Sequence, residues 1–179
     1  MRFRLRYYYT IRKALQSLSE RKALDLGLKT LPTLQQGGSV TLAGPPGVGK
    51  TVTACRLARL LEEKRNEGRQ HPEEIDGYFL TAMELFAMAI EEKDVYRALK
   101  LCDIVIVDDV GMEAPTDFKL SVFDDFVDSR YRQQEATIYT TNLNHIEFQQ
   151  RYGERVWRRL RPDPEIDSVA LGKFIEIPK

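Results

Sequence analysis

The chain has 179 residues, of which 42% are hydrophobic, and its 27 acidic side chains balance 27 basic ones. This is the length of one domain with a core of its own, and the balanced charge indicates no particular partner. Two isolated cysteines, Cys55 and Cys102, and two histidines argue against a disulfide framework and a zinc site. No apolar run reaches membrane-spanning length and the first residues lack a signal-peptide core, so we expect a cytoplasmic protein without a membrane partner.

The first 22 residues form a basic segment that also holds three consecutive tyrosines. Seven Lys or Arg oppose one acid, Glu20, and Ile11, Leu15 and Leu18 recur at helical spacing. Basic charge among aromatic rings suits a nucleic-acid contact, and it equally suits a solvated helix whose tyrosines pack on the core. We therefore separate a basic N-terminal arm, residues 1–36, from a core domain, residues 37–179.

A phosphate-binding signature follows the first predicted strand, Ser39 to Ala43, and precedes a predicted helix. The signature is Gly44-Pro45-Pro46-Gly47-Val48-Gly49-Lys50-Thr51, which fits G-x-x-x-x-G-K-[ST]. Its glycines let backbone N–H groups converge on phosphate at the positive end of the helix. Residues Gly44 to Val52 are thus the predicted nucleotide-binding loop, with Lys50 on the β- and γ-phosphates and Thr51 on Mg²⁺. A glycine-rich turn without a ligand is the alternative, which the flanking strand and helix make less favourable.

The next elements alternate in the same way. Residues 62–74 are polar and predict a surface loop, and Gly77 to Leu80 predicts a second strand. Thr81 with Glu84 predicts a capped helix, whose apolar stripe runs on to Val95.

Two later strands end in polar side chains. Cys102 to Asp109 carries four buried aliphatic residues and then two acids, and Thr137 to Asn142 ends in an amide. Parallel sheets bind ligands at the carboxyl ends of their strands. We therefore expect Asp108 to bind Mg²⁺, Asp109 to orient or polarise the attacking water, and Asn142 to contact the γ-phosphate or that water. Val110 to Pro115 is predicted to be a loop.

The last helix is rich in arginine. It is preceded by a predicted capping box, Asn144 with Glu147, and residues 151–161 contain five arginines. Burial of residues 156 and 160 would leave Arg155 and Arg159 on a common neighbouring face. A guanidinium on that face would complete the ATP site of an adjacent subunit as an arginine finger, and the competing interpretations are a nucleic-acid patch or a solvated helix. Val169 to Ile177 predicts the final strand.

Together these motifs resemble the AAA+ superfamily, and within it the bacterial helicase loaders of DnaC type and the IstB-type ATPases that assist transposition. The resemblance runs from about Gly37 to the end of the chain. Beside the phosphate loop it rests on four segments: Asp108-Asp109-Val110-Gly111-Met112-Glu113, Ser129-Arg130-Tyr131, Thr140-Thr141-Asn142-Leu143 and Tyr152-Gly153-Glu154-Arg155-Val156-Trp157-Arg158-Arg159-Leu160.

The resemblance implies an α/β fold, the three-layer P-loop NTPase sandwich with a five-stranded parallel sheet and a central P-loop strand. It implies ATP and Mg²⁺ as cofactors, self-assembly, and a loader or matchmaker function on DNA with a replicative helicase or a transposase as partner. By position, Lys50 and Thr51 are the Walker A ligands, Asp108 and Asp109 the Walker B pair, Asn142 the first sensor and Arg159 the finger, with Arg155 as the fallback.

The chain departs from this family pattern at both ends. Only about forty residues precede the core strand, where loaders carry a longer domain, and no helical lid follows the last strand. We therefore expect slow, assembly-dependent hydrolysis. A small P-loop kinase and a nucleotide-switched adaptor are the alternative functions. The kinase would need an acceptor pocket that the segment between Glu62 and Gly77 does not suggest, and the paired acids count against the adaptor.

Overall fold

The protein is described here from a computed structural model, which covers residues 24–67, 75–161 and 172–178. The basic arm up to residue 23, most of the predicted loop before the second strand and the residues from Pro162 to Leu171 lie outside the described residues. Within the described ranges, no helix is both long enough and apolar enough to cross a bilayer.

Five parallel strands form one sheet in the order β2-β3-β4-β1-β5. Their bounds are β1 Ser39–Ala43, β2 Gly77–Thr81, β3 Ile104–Val110, β4 Ala136–Thr141 and β5 Gly172–Glu176. The predicted five-stranded parallel sheet is confirmed. The P-loop strand β1 is an interior strand between β4 and β5, one place away from the middle of the sheet.

Helices cover both faces of the sheet. Their bounds are α1 Leu31–Gln35, α2 Lys50–Arg65, α3 Ala82–Glu91, α4 Lys93–Leu99, α5 Asp117–Gln133 and α6 His145–Leu160. Successive residues of a strand point to opposite faces, so Ile104 and Ile106 of β3 pack with α1 and α2, whereas Val105 and Val107 pack with α3, α5 and α6. Because both faces are buried, residues 104–107 of β3 are all apolar. Helices on both faces of one sheet give the predicted three layers.

Several element boundaries differ from the sequence prediction. The single helix expected after Thr81 is two helices, because the backbone at Glu92 is non-helical (φ −129°, ψ 58°). Val110, which was expected in a loop, is the last residue of β3. The capping boxes of Thr81 with Glu84 and of Asn144 with Glu147 are both formed, as predicted.

Arg130, near the end of α5, forms hydrogen bonds with the chain at the amino ends of β3 and β4. Its side chain is buried, and its guanidinium donates to the carbonyl oxygens of Cys102 and Ala136, the latter at 2.6 Å, and to Thr137 Oγ1 at 3.0 Å. Burial lowers the pKa of this arginine. These hydrogen bonds pair buried carbonyl groups at this end of the sheet with a donor.

Replacing Arg130 with Met should destabilise the fold, because each buried acceptor left without a donor costs about 1–3 kcal/mol. We expect the free energy of unfolding, measured by urea denaturation, to fall by at least about 2 kcal/mol. Arg59→Met is the matched control. Arg59 forms an exposed pair with Glu63 on one helix, and its loss should change stability by less than about 0.5 kcal/mol. Equal losses in the two variants would contradict this role of Arg130.

Candidate functional site

The loop between β1 and α2 lies at the carboxyl edge of the sheet. Gly49 caps the first turn of α2 in the left-handed conformation (φ 92°), which glycine adopts without steric cost. Gly44 lies so close to the chain after β5 that an added Cβ would stand 2.6 Å from the carbonyl oxygen of Ile177. Gly44 and Gly49, the two glycines that the motif specifies, are therefore required by the backbone path itself.

Lys50 connects this loop to the end of β4. Its ammonium donates to the carbonyl oxygens of Gly44 at 2.7 Å and Pro45 at 3.0 Å, and to Asn142 Oδ1 at 2.7 Å. Burial lowers the pKa of Lys50, while the negative charges of two acids, Asp109 and Asp108, act in the opposite direction. Lys50 and Asn142, which are 92 residues apart in sequence, are thus in direct contact.

Asp108 connects the same loop to two strands. Thr51 Oγ1 lies 3.0 and 3.1 Å from the two carboxylate oxygens of Asp108, and Thr140 Oγ1 donates to Oδ1 at 2.5 Å. Burial raises the pKa of Asp108, and the hydrogen bonds from the two threonines and the charge of Lys50 partly offset that effect. Thr51 and Asp108, both predicted to hold Mg²⁺, therefore lie in direct contact.

Asp109 has an unusual backbone. It has φ 56°, and the pairing of β3 with β4 shifts between Val107 and Val110, as in a β-bulge. Left-handed geometry at a non-glycine residue costs on the order of 1 kcal/mol and is concentrated at functional sites. The backbone N–H of Asp109 donates to Thr140 Oγ1 at 3.0 Å. The bulge leaves Asp108 buried and Asp109 exposed, with both carboxylates acting on Lys50.

Thr140 is the site residue that sequence reasoning did not single out. It donates to the carboxylate of Asp108 and accepts from the backbone of Asp109, so one hydroxyl orients both acids. A signal was present, because a threonine stands two residues before Asn142 on the same strand. Its significance depends on the bulge in β3, which the sequence does not reveal.

The arrangement fits Mg²⁺. A hydroxyl and a carboxylate stand side by side, and hard oxygen ligands of this kind suit the ion. The described part of the chain contains no group of three or more His, Cys, Asp or Glu side chains able to hold a metal.

Arg155 and Arg159, the two candidates for an arginine finger, lie away from the P-loop. Arg159 lines a cavity of about 180 Å³ with Ser39 and Thr137, which lie at the amino ends of β1 and β4. It forms an ion pair with Asp128 of α5, and Arg155 contacts the same carboxylate at 3.3 Å. Val156 and Leu160 of this helix are buried, as predicted. The structure thus places the arginines at the opposite edge of the sheet from the residues around Lys50.

Comparison with known proteins gives a family. Residues 12–158 match the model of the family described as IstB-like ATP binding protein. No curated protein matches the chain.

Solved structures with the same fold include the DnaC helicase loader (TM-score 0.67, 21% identity, 90% of this chain and 92% of that one). DnaI gives a TM-score of 0.68 at 20% identity, over 97% of this chain and 95% of that one. The replication initiator DnaA bound to AMPPCP and single-stranded DNA gives 0.64 at 18%, over 97% of this chain and 50% of that one. These likenesses confirm the AAA+ P-loop fold, and the family match supports ATP as the ligand of the site and does not favour the kinase alternative.

Thr140→Val tests the hydroxyl that orients both acids. The substitution keeps the side-chain shape and removes the hydrogen bond to Asp108, so we expect unfolding free energy at neutral pH to fall by about 1–3 kcal/mol. The bond favours ionised Asp108. The loss should therefore shrink as pH falls through the pKa of Asp108, which burial places above the ordinary aspartate value.

Thr41→Val is the matched control. Thr41 is also buried in the sheet, and its hydroxyl has no hydrogen-bond partner among the described residues. Its removal should be neutral or stabilising at every pH. If Thr140→Val left the unfolding free energy as unchanged as the control does, or lowered it equally at every pH, the hydroxyl would not stabilise the charged carboxylate.

Proposed function

This chain belongs to the IstB-like ATP-binding protein family, and we propose that it is a Mg²⁺-dependent ATPase that assembles with copies of itself and acts as a loader or matchmaker on DNA. One observation carries the proposal. Two hydrogen-bonded pairs, Lys50 with Asn142 and Thr51 with Asp108, lie at the carboxyl edge of the sheet. A P-loop protein binds its nucleoside triphosphate at this edge.

The contacts of each of these side chains are compatible with a role in binding Mg²⁺ or ATP. Thr51 and Asp108 would hold Mg²⁺, and Lys50 would exchange the carbonyl oxygens of the loop for phosphate oxygens. When bound, ATP supplies the γ-phosphoryl group, whose transfer needs positioning and charge neutralisation more than covalent chemistry. Asp109 is exposed beside this cluster and would orient the attacking water.

The carboxylate of Asp108 must be ionised to hold the cation. Burial opposes that state, and the hydroxyl groups of Thr51 and Thr140 favour it. A divalent cation at the same place would favour it further, because a bound ion is the largest local charge in such a site. We therefore expect the cation and the nucleotide to bind together more tightly than either does alone.

Arg159 would act on the nucleotide of a second copy. A strand of five residues, such as β1, is roughly 16 Å long, and Arg159 lies at the end of the sheet away from the P-loop of its own chain. A guanidinium held there can reach a γ-phosphate only on a neighbouring molecule. Hydrolysis would then require assembly, which agrees with the slow turnover expected from the sequence.

Two features support DNA as a partner: the exposed arginines near the end of α6 and the similarity of the fold to proteins that act in DNA replication. Arg155 and Arg158 are exposed on the last turns of α6, as is Arg161 immediately after the helix, and such a surface attracts phosphate. Two proteins with this fold are the DnaC helicase loader and the replication initiator DnaA, the latter solved with single-stranded DNA bound. A loader whose ring or filament forms with nucleotide on DNA is the function that these features favour together.

Mixing two inactive variants tests the shared site. Arg159→Ala should retain ATP binding and lose hydrolysis by about 10³-fold or more, the range of other arginine fingers. Lys50→Ala should lose ATP binding but keep its finger. Because each variant keeps the half that the other lacks, a mixture of the two should recover ATPase activity, measured by phosphate release against total protein concentration.

Arg158→Ala is the control for this experiment, since Arg158 is the exposed neighbour of Arg159 on the same helix. It should hydrolyse ATP normally in the absence of DNA. Normal hydrolysis by Arg159→Ala alone would remove Arg159 from the site and leave Arg155 to be tested in the same way. A mass that stays monomeric with an ATP analogue and single-stranded DNA would contradict the loader proposal.

A further inference from the structure

Two buried carboxylates hold α6, one on each side of Gly153. We propose that one of them, Glu113, is a positioning residue that couples the ATP site to Arg155 and Arg159 by way of Tyr152. The inference deepens the proposed function and rests on it, because it states how the state of the nucleotide reaches the arginines that a neighbouring subunit uses.

Glu113 joins the loop after β3 to the first part of α6. Its side chain is 1% exposed, and its Oε2 accepts the backbone N–H of Gly111 at 3.0 Å. Its Oε1 accepts the hydroxyl of Tyr152 at 2.6 Å and lies 3.1 Å from Arg151 Nη2. Gly111 is two residues from Asp109. A change in the position of that acid is therefore passed through one buried carboxylate to Tyr152.

Gly153 interrupts α6 immediately after Tyr152. Its backbone has φ 80° and ψ 168°, a combination that is essentially restricted to glycine. An added Cβ would meet no atom within 4 Å, so the backbone conformation requires glycine at this position, and lack of space does not. The helix is thus divided into residues 145–152, tied to the ATP-site loop, and residues 154–160, which carry both arginines.

Asp128 of α5 holds the second half. It contacts Arg155 and Arg159 and is itself almost completely buried. The two halves of α6 therefore have different anchors, and Gly153 is the joint between them. When the loop after Asp109 shifts, residues 145–152 shift with Glu113, and the orientation of the arginine half relative to α5 changes.

The chain contains its own reporter of this change. Trp157 is its single tryptophan and lies in the arginine half of α6. The ring of Trp157 packs 5.1 Å from that of Phe174 in β5 and 6.4 Å from that of His145, which belongs to the other half. A reorientation of the halves changes these contacts, and with them the emission of the indole.

The test compares Tyr152→Phe with the wild type. The full chain is titrated with a non-hydrolysable ATP analogue and Mg²⁺ while tryptophan emission is recorded, and binding is measured separately by equilibrium dialysis. The wild type should show a saturable emission change. Tyr152→Phe should bind the analogue with unchanged affinity and lose most of that change, and its kcat for assembly-dependent hydrolysis should fall about 2- to 30-fold at unchanged KM.

Tyr96→Phe is the matched control. The hydroxyl of Tyr96 is also donated to a carboxylate, that of Asp125 at 2.8 Å, but it does not link the ATP site to α6. This variant should behave as the wild type in emission and in hydrolysis. The Tyr152→Phe chain should fold, because its ring keeps its contacts with Phe123 and Phe148 at 4.5 and 4.7 Å.

A second variant, Glu113→Gln, places an amide where the N–H of Gly111 and the hydroxyl of Tyr152 both need an acceptor, and it should reproduce the loss of the emission change. The coupling is overturned if the wild type binds the analogue without an emission change, or if Tyr152→Phe keeps the full change and full hydrolysis. An emission change without any hydrolysis would remove the ATPase proposal and leave the coupling supported.

Discussion

The buried carboxylate of Asp108 holds together three separate parts of the chain at the carboxyl edge of the sheet. Thr51 brings the first turn of α2 to it, Thr140 brings the end of β4, and Asp108 itself ends the apolar part of β3. A buried carboxylate without such donors would be protonated or would destabilise the fold. The hydroxyl groups therefore make a charged group tolerable in this position, and a charged group is what a cation requires.

The same edge contains local backbone strain at Asp109. Asp109 adopts a left-handed backbone at a bulge, where an ordinary strand would have continued into the next residue pair. Strain of this kind persists only when the surroundings determine it. Here the hydroxyl of Thr140 holds the N–H of Asp109, and the hydroxyl of Thr141 holds the carbonyl oxygen of Val110 at 2.6 Å. Two consecutive threonines of β4 thus fix the shape of β3 beside the ligand site.

Whether a feature of the fold or the site could be predicted from the sequence depends on how far apart in the chain its interacting residues lie. The P-loop, the buried β3 and both capping boxes depend on neighbours a few residues apart, so their patterns predicted them correctly. The meeting of Lys50 with Asn142 followed from a general rule about strand ends in parallel sheets. The bulge at Asp109, the break at Glu92 and the glycine joint in α6 depend on contacts between distant elements. No local pattern in the sequence distinguishes Gly153 from a tolerated helical glycine.

Asp128 pairs with three arginines, Arg132 of its own helix and Arg155 and Arg159 of α6. The two pairs with α6 are long-range features of the same class, and they affect what an arginine finger would have to do. In a single subunit Arg159 forms an ion pair with this buried carboxylate, which Arg132 and Arg155 share. Any neighbour that draws the guanidinium toward its nucleotide must compete with Asp128. By linkage, whatever weakens that pair on one subunit must also favour nucleotide-dependent association with the next. In the proposed assembly, self-association and ATP binding would then be coupled through the ion pairs of Asp128, at the end of the sheet opposite the P-loop.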